Sequence, residues 1–183
     1  FGFMAKAYYQ ENVRSLVEPY AVMDTPGERW KYEGGNTMLL EEILTSLGQG
    51  SLSQWIEQGL WQPMGAENDA FWGLDRPEGE KAVERCFAQF YATTRDYARF
   101  GKLINGRGRW GESQLLSDAY TEALATPISK TTDECGVSHY GYQIWLGDMD
   151  DTLSFSCMEG LRGQMIVSVP ELDLVVVRTG YNK

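Results

Sequence analysis

The chain has 183 residues, 43% of them hydrophobic, which is enough for a sizeable core and leads us to expect one domain over residues 1–183. Its formal net charge of −10 argues against nucleic acid or an anionic membrane as partner, because phosphate binding needs clustered Lys and Arg and no basic run occurs. There is no run of about eighteen apolar residues to span a membrane, and FGFMAKAYYQENVR lacks the order of a signal peptide.

Cys86, Cys135 and Cys157 are odd in number and far apart, which fits neither a disulfide framework nor a zinc site, so three free thiols and no metal are expected. The single histidine, His139, is read as structural, at the start of a strand.

In chain order, residues 1–17 carry an imperfect apolar stripe and predict one helix. Pro26-Gly27 predicts a tight turn, and Tyr32 follows just before the flexible pair Gly34-Gly35. A helix is expected from Asn36 as N-cap to Gly48, with Leu39, Leu40, Ile43, Leu44 and Leu47 on its buried face and Glu41, Glu42, Thr45 and Ser46 opposite. The residues alone leave Tyr32 open to two readings: an ordinary half-buried tyrosine, or a hydroxyl aimed into a cleft.

Ser51-Leu-Ser-Gln54 has the form of a capping box for a second helix ending before Pro63. Residues 66–85 read as a loop with one short strand near Phe71 to Leu74. Thr93 caps a helix closed by Asn105-Gly106, and Ser117 caps another that stops at Pro127. The rest is β-rich. Strands are expected over Tyr140 to Leu146 and Thr152 to Cys157, then a hairpin of Gln164 to Val169 and Leu174 to Arg178. Leu174 to Val177 is apolar on both faces, which predicts a central strand. Asp148, Asp150 and Asp151 lack EF-hand spacing and read as a solvated turn.

Three stretches carry a family resemblance. PGERWKYEGGNTMLLEEIL resembles the second active-site motif of the serine β-lactamase-related family, which includes class C β-lactamases, penicillin-binding-protein-like esterases and 6-aminohexanoate-dimer hydrolases. In that family PG-x-x-x-x-Y-x-[NS] carries a catalytic tyrosine, matched here by Tyr32. ATTRDYARFG matches a scaffold helix of the family. Met158-Glu-Gly-Leu-Arg-Gly-Gln164 is similar to its third motif, [KH]-[TS]-G, with Gly160 at the glycine and Leu161 as backbone N–H donor to an oxyanion; glycine spacing alone would equally fit two β-bulges.

The resemblance implies an α+β fold, helices packed on an antiparallel sheet, as an incomplete serine β-lactamase-like (transpeptidase-like) domain. It also implies acyl transfer from an ester or amide to water without a cofactor, with Gly34, Asn36, Glu159, Gly160, Arg162, Gly163 and Gln164 as substrate-binding residues, and export to the periplasm.

The sequence departs from the pattern at three positions. Met158 stands for the basic residue, Glu159 for the hydroxyl residue and Gly34 for Asn or Ser, so a β-lactam carboxylate would need Arg162 as its cation. None of the serines has lysine three residues on, so the family's S-x-x-K is expected upstream of Phe1, and this chain to be the middle and C-terminal portion of the domain. Self-association or a partner chain supplying the missing part follows as an expectation. Motif erosion fits an alternative, a binding or structural module.

Overall fold

The computed structural model describes residues 3–48, 50–77, 79, 82–130 and 137–180. Cys135 and the last residues, 181–183, lie outside them. The chain forms two units, residues 1–60 with 69–91 and residues 61–68 with 92–183.

In the first unit the N-terminal segment is two helices, α1 (Phe3–Tyr9) and α2 (Arg14–Val17), where the apolar stripe predicts one. The chain breaks at Asn12, in the left-handed region at φ 60°, and the buried Asp75 carboxylate accepts the Val13 N–H at 2.9 Å. A distant acceptor thus takes the donor that would otherwise continue the helix. Asp75 also accepts from Val83 at 2.9 Å; burial pushes its carboxyl up, but the bonds from Val83, Arg76 and Val13 outweigh it and hold it below the usual range.

The Pro26-Gly27 turn forms as predicted, with Gly27 at φ 89° and Glu28 N–H donating to the Thr25 carbonyl. Helix α3 (Gly34–Ser46) follows. After it, α4 (Leu52–Ile56) opens on the predicted capping box, Ser51 and Gln54 bonding reciprocally, and continues as a π-helical turn, Glu57–Trp61. Strands β1 (Phe71–Trp72) and β2 (Phe90–Tyr91) pair antiparallel. The core joins Ala7, Val13, Val17, Met38 and Val83, with Phe3 and Phe87 against it.

In the second unit, α5 (Thr94–Asn105) is capped by the Thr93 hydroxyl, and α6 (Asp118–Ala125) by Ser117. Strands β3 (Arg109–Trp110) and β4 (Ser113–Gln114) form a small hairpin between them. Among the described residues the main sheet is antiparallel with six strands: β5 (Ser129–Lys130), β6 (His139–Tyr140), β7 (Trp145–Asp148), β8 (Ser154–Gly160), β9 (Gln164–Val169) and β10 (Leu174–Arg178), in spatial order β10-β9-β8-β7-β6-β5.

Two strand predictions need correction. Tyr140 to Leu146 is not one strand but a turn between β6 and β7, because Gln143 adopts φ 60° and Gly141 N–H donates to the Ile144 carbonyl. The apolar run Leu174 to Val177 is not central among the described residues, where β10 is the terminal strand of the sheet. Val175 and Val177 are half-buried toward α5, while Leu174 and Val176 are exposed. Asp148 ends β7, and Met149 to Asp151 form a turn in which the Asp150 carboxylate accepts from Thr152 and Leu153 N–H.

The match to ATTRDYARFG is a scaffold in physical terms. Asp96 is fully buried and accepts from the Glu67 N–H at 2.9 Å, the Asn68 amide at 3.1 Å, the Thr93 hydroxyl at 2.7 Å and Arg99 at 3.0 Å. Burial raises its carboxyl, and these four partners more than offset that, lowering it below the ordinary value. Gly101 lets α5 lie on the sheet, since a Cβ there would stand 2.4 Å from Val175 Cγ1, and its carbonyl accepts from the Ser168 hydroxyl at 2.9 Å.

Candidate active site

Tyr32, Gly34 and Asn36 come together at the head of α3. The helix begins three residues earlier than Asn36 as N-cap predicts: Glu33 is the N-cap, without a side-chain cap bond, and Asn36 lies exposed in the first turn. The Glu33 carboxylate instead pairs with Lys31 at 2.7 Å. Gly34 and Gly35 serve close approach rather than flexibility. A Cβ on Gly35 would meet the Tyr20 hydroxyl at 2.2 Å, and one on Gly34 would meet Met4 Sδ at 2.8 Å and Phe3 and Phe87 at 3.4 Å. This crowding gives a steric account of glycine at the position where the family pattern has Asn or Ser.

Tyr32 itself is 52% exposed, with its ring outside the core. The two cations nearest to it in sequence are both held by carboxylates, Arg29 by Asp24 at 2.6 Å and Lys31 by Glu33.

The buried face of α3 differs from the expected one. Gly34, Gly35, Met38 and Glu41 are buried, whereas Leu40, Ile43 and Leu47 are 48%, 57% and 60% exposed. Tyr20, Met4 and Phe87 select the glycine face by packing on it. Glu41 is carried inside with them, 4% exposed, and its Oε2 has no hydrogen-bond partner among the described residues. Burial, then the charge of Glu42, pushes its carboxyl up to about 7; Arg14 opposes this, but is itself paired with Glu42, while Glu84 and Asp75 add to it. Burial, followed by Glu41, likewise pushes the nearby Cys86 thiol up to about 12, which leaves that thiol unreactive at neutral pH. Sequence reasoning placed Glu41 on the polar face; the i, i+4, i+7 series of Gly34, Met38 and Glu41 was the signal available.

The other site residues meet in the β8–β9 hairpin. Strand β8 runs through Met158 and Glu159 to Gly160, which pairs with Gln164. Leu161 is exposed in the turn, and Arg162 at φ 67° and Gly163 at φ 80° supply the two positive angles that suit a tight hairpin. Gly160 is required by packing, because a Cβ there would be 2.9 Å from that of Gln164. The Gln164 amide is committed to backbone: its Oε1 accepts the Gly180 N–H at 3.0 Å, and its Nε2 donates to the Gly180 carbonyl. Met158 packs on Leu124, Ile144 and Leu146, so the position of the family's basic residue faces an apolar cluster. His139 is a strand residue whose Nδ1 lies 2.7 Å from the Ser138 hydroxyl.

Comparison with known proteins bears on the fold. The chain aligns at TM-score 0.78 and 22% identity with a Bacillus anthracis protein provisionally named a 6-aminohexanoate-dimer hydrolase, over 96% of this chain and 47% of that one. A penicillin-binding protein homologue from Pyrococcus abyssi, described as octameric, aligns at TM-score 0.67 and 19% identity over 85% and 39%. A provisionally named beta-lactamase from Bacteroides dorei DSM 17855 aligns at TM-score 0.69 and 16% identity over 100% and 59%. The chain thus spans about half the length of the solved structures it matches. No curated protein matches its sequence. The family pattern described as Beta-lactamase matches residues 2–179, and the mixed helix and antiparallel-sheet fold agrees with it: the chain belongs to the beta-lactamase family.

Proposed function

We infer that residues 1–183 are the middle and C-terminal portion of a serine hydrolase domain that cleaves an ester or amide through an acyl-enzyme. The observation that carries this reading is the family match over residues 2–179 together with a half-exposed Tyr32 at the position of the family's catalytic tyrosine. In this scheme a serine outside the chain attacks the carbonyl carbon, its proton passing by way of Tyr32 and a lysine to the leaving group, and water then releases the acyl group. The Leu161 N–H donates to the oxyanion, and Arg162, Glu159, Gly163 and Asn36 border the substrate. A phenol takes a proton at neutral pH only where cations stabilise the phenolate, and Arg29 and Lys31 are both paired, so the scheme requires the lysine of an S-x-x-K segment.

Export to the periplasm belongs to the same proposal; among the described residues no helix is long and apolar enough to cross a membrane. So does self-association, for which the octameric penicillin-binding protein homologue is a precedent in the fold. A second reading, a binding or structural module, is favoured by one observation: Met158 packs on an apolar cluster where the family has a basic residue. Labelling of the full-length protein by a fluorophosphonate probe decides between them. Stoichiometric acylation of a serine supports the hydrolase, and no labelling supports the binding module.

A further inference from the structure

The local sequence leaves the head of α3 loosely specified. Its N-cap, Glu33, makes no side-chain cap bond, and the two residues that follow are glycines, whose backbone has little preference of its own. Packing supplies what capping does not. Tyr20 lies so close on Gly35 that a Cβ there would stand 2.2 Å from its hydroxyl oxygen, 2.4 Å from Cε2 and 2.5 Å from Cζ. The Tyr20 hydroxyl is also 3.5 Å from Glu33 Oε1, while Glu33 Oε2 pairs with Lys31 at 2.7 Å.

Tyr20 is itself anchored. Its N–H donates at 2.9 Å to the carbonyl of Val17, which is buried at the end of α2. Its ring is edge-on to Phe3 at 5.9 Å, and Phe3 is edge-on to Phe87 at 5.8 Å, both of them packed against the core. Tyr20 therefore ties Glu33 and Gly35 to the core through fixed side chains. Tyr32 is bonded directly to Glu33, so whatever holds Glu33 to Gly35 sets the point from which the Tyr32 side chain departs.

We propose that Tyr20 is a positioning residue for the reaction, its ring on Gly35 holding the head of α3 where the Tyr32 hydroxyl can meet the reacting groups. The proposal rests on the reading of Tyr32 as the phenol that passes the proton, and it adds the residue that aims it. Tyr20 acts through Tyr32 and not on the substrate. A misplacement of about 1 Å at a reacting group costs on the order of a hundredfold in rate, so a modest drift of the helix head is enough to be read in turnover.

The test is a double-mutant cycle on p-nitrophenyl ester hydrolysis by the full-length protein, with sites counted by exhaustive fluorophosphonate labelling and the fold checked by circular dichroism. Tyr20→Ala is expected to lower kcat per labelled site by about ten- to a hundredfold, with KM changed by less than about threefold. Tyr20→Phe keeps the ring on Gly35 and is expected to stay within about threefold of the parent. In a Tyr32→Phe background, Tyr20→Ala should change kcat by less than about twofold, because the hydroxyl that it aims is gone. A residue that served stability alone would give the same loss in both backgrounds. Should Tyr20→Ala fail to fold, Gly35→Ala, which displaces the ring without altering it, takes its place in the cycle. Equal losses in the two backgrounds, or a Tyr20→Ala rate equal to the parent's beside a slow Tyr32→Phe, would overturn the positioning role and leave the hydrolase reading intact. Tyr32→Phe at the parent rate, or a protein that takes no fluorophosphonate, would overturn both.

Discussion

Glu41 offers the sharpest quantitative test of how the first unit is built. Its carboxyl is buried on the inner face of α3 with one oxygen unpartnered, and it titrates at about 7 against 4.5 for an unburied glutamate. The folded chain therefore holds a proton that the unfolded chain has released between those two values. Stability contributed by this group is full below about pH 4.5, falls as pH rises, and levels off above about 7. At about 1.4 kcal/mol for each tenfold change, the gap corresponds to a loss of about 3 kcal/mol by pH 8. Glu41→Gln keeps the shape and removes the charge, so it is expected to match the parent at pH 4 and to exceed its stability by about 2–3 kcal/mol at pH 8. Urea unfolding followed by tryptophan fluorescence from pH 4 to 8.5 measures both chains, and pH effects common to them cancel in the difference. Parallel curves, or a glutamine variant weaker than the parent at pH 8, would show that Glu41 is not held protonated and would refute the argument.

Three further outcomes are expected. Asp96→Ala strips the shared acceptor from Glu67, Asn68, Thr93 and Arg99 and should cost about 3–5 kcal/mol by thermal melting. Because the native carboxyl lies below its ordinary 3.8, that contribution is present above about pH 4 and fades as acid protonates it, so a deficit undiminished near pH 2 would contradict the assignment. Gly35→Ala should destabilise by about 1–3 kcal/mol through overlap with the Tyr20 ring, and Tyr20→Ala in the same chain should recover part of it; simple additivity of the two changes would disprove the contact. On the proposed hydrolase reading, Tyr32→Phe in the full-length protein should fold normally and turn over a p-nitrophenyl ester about 10²–10⁴-fold more slowly, and an unchanged rate would return Tyr32 to a structural role.

What the sequence determined by itself is whatever a few neighbouring residues decide. The caps at Ser51, Thr93 and Ser117, the Pro26-Gly27 turn and the Gln164 to Arg178 hairpin were all legible, because each is satisfied by donors, acceptors or dihedral limits within one turn of chain. The motifs that mark the family, and Tyr32 with them, are local strings of the same kind. Choices among faces and partners were not legible. Leucine spacing on α3 pointed to Leu40, Ile43 and Leu47 as its buried side, yet Met4, Tyr20 and Phe87 press on Gly34 and Gly35, and only glycine admits them so closely. The break between α1 and α2 depends on Asp75, more than sixty residues away, and which face of β10 is half-buried depends on α5 packing against Val175. Only tertiary structure decides such matters, because the free energy of burying a face belongs to the pair of surfaces that meet and is written in neither one alone.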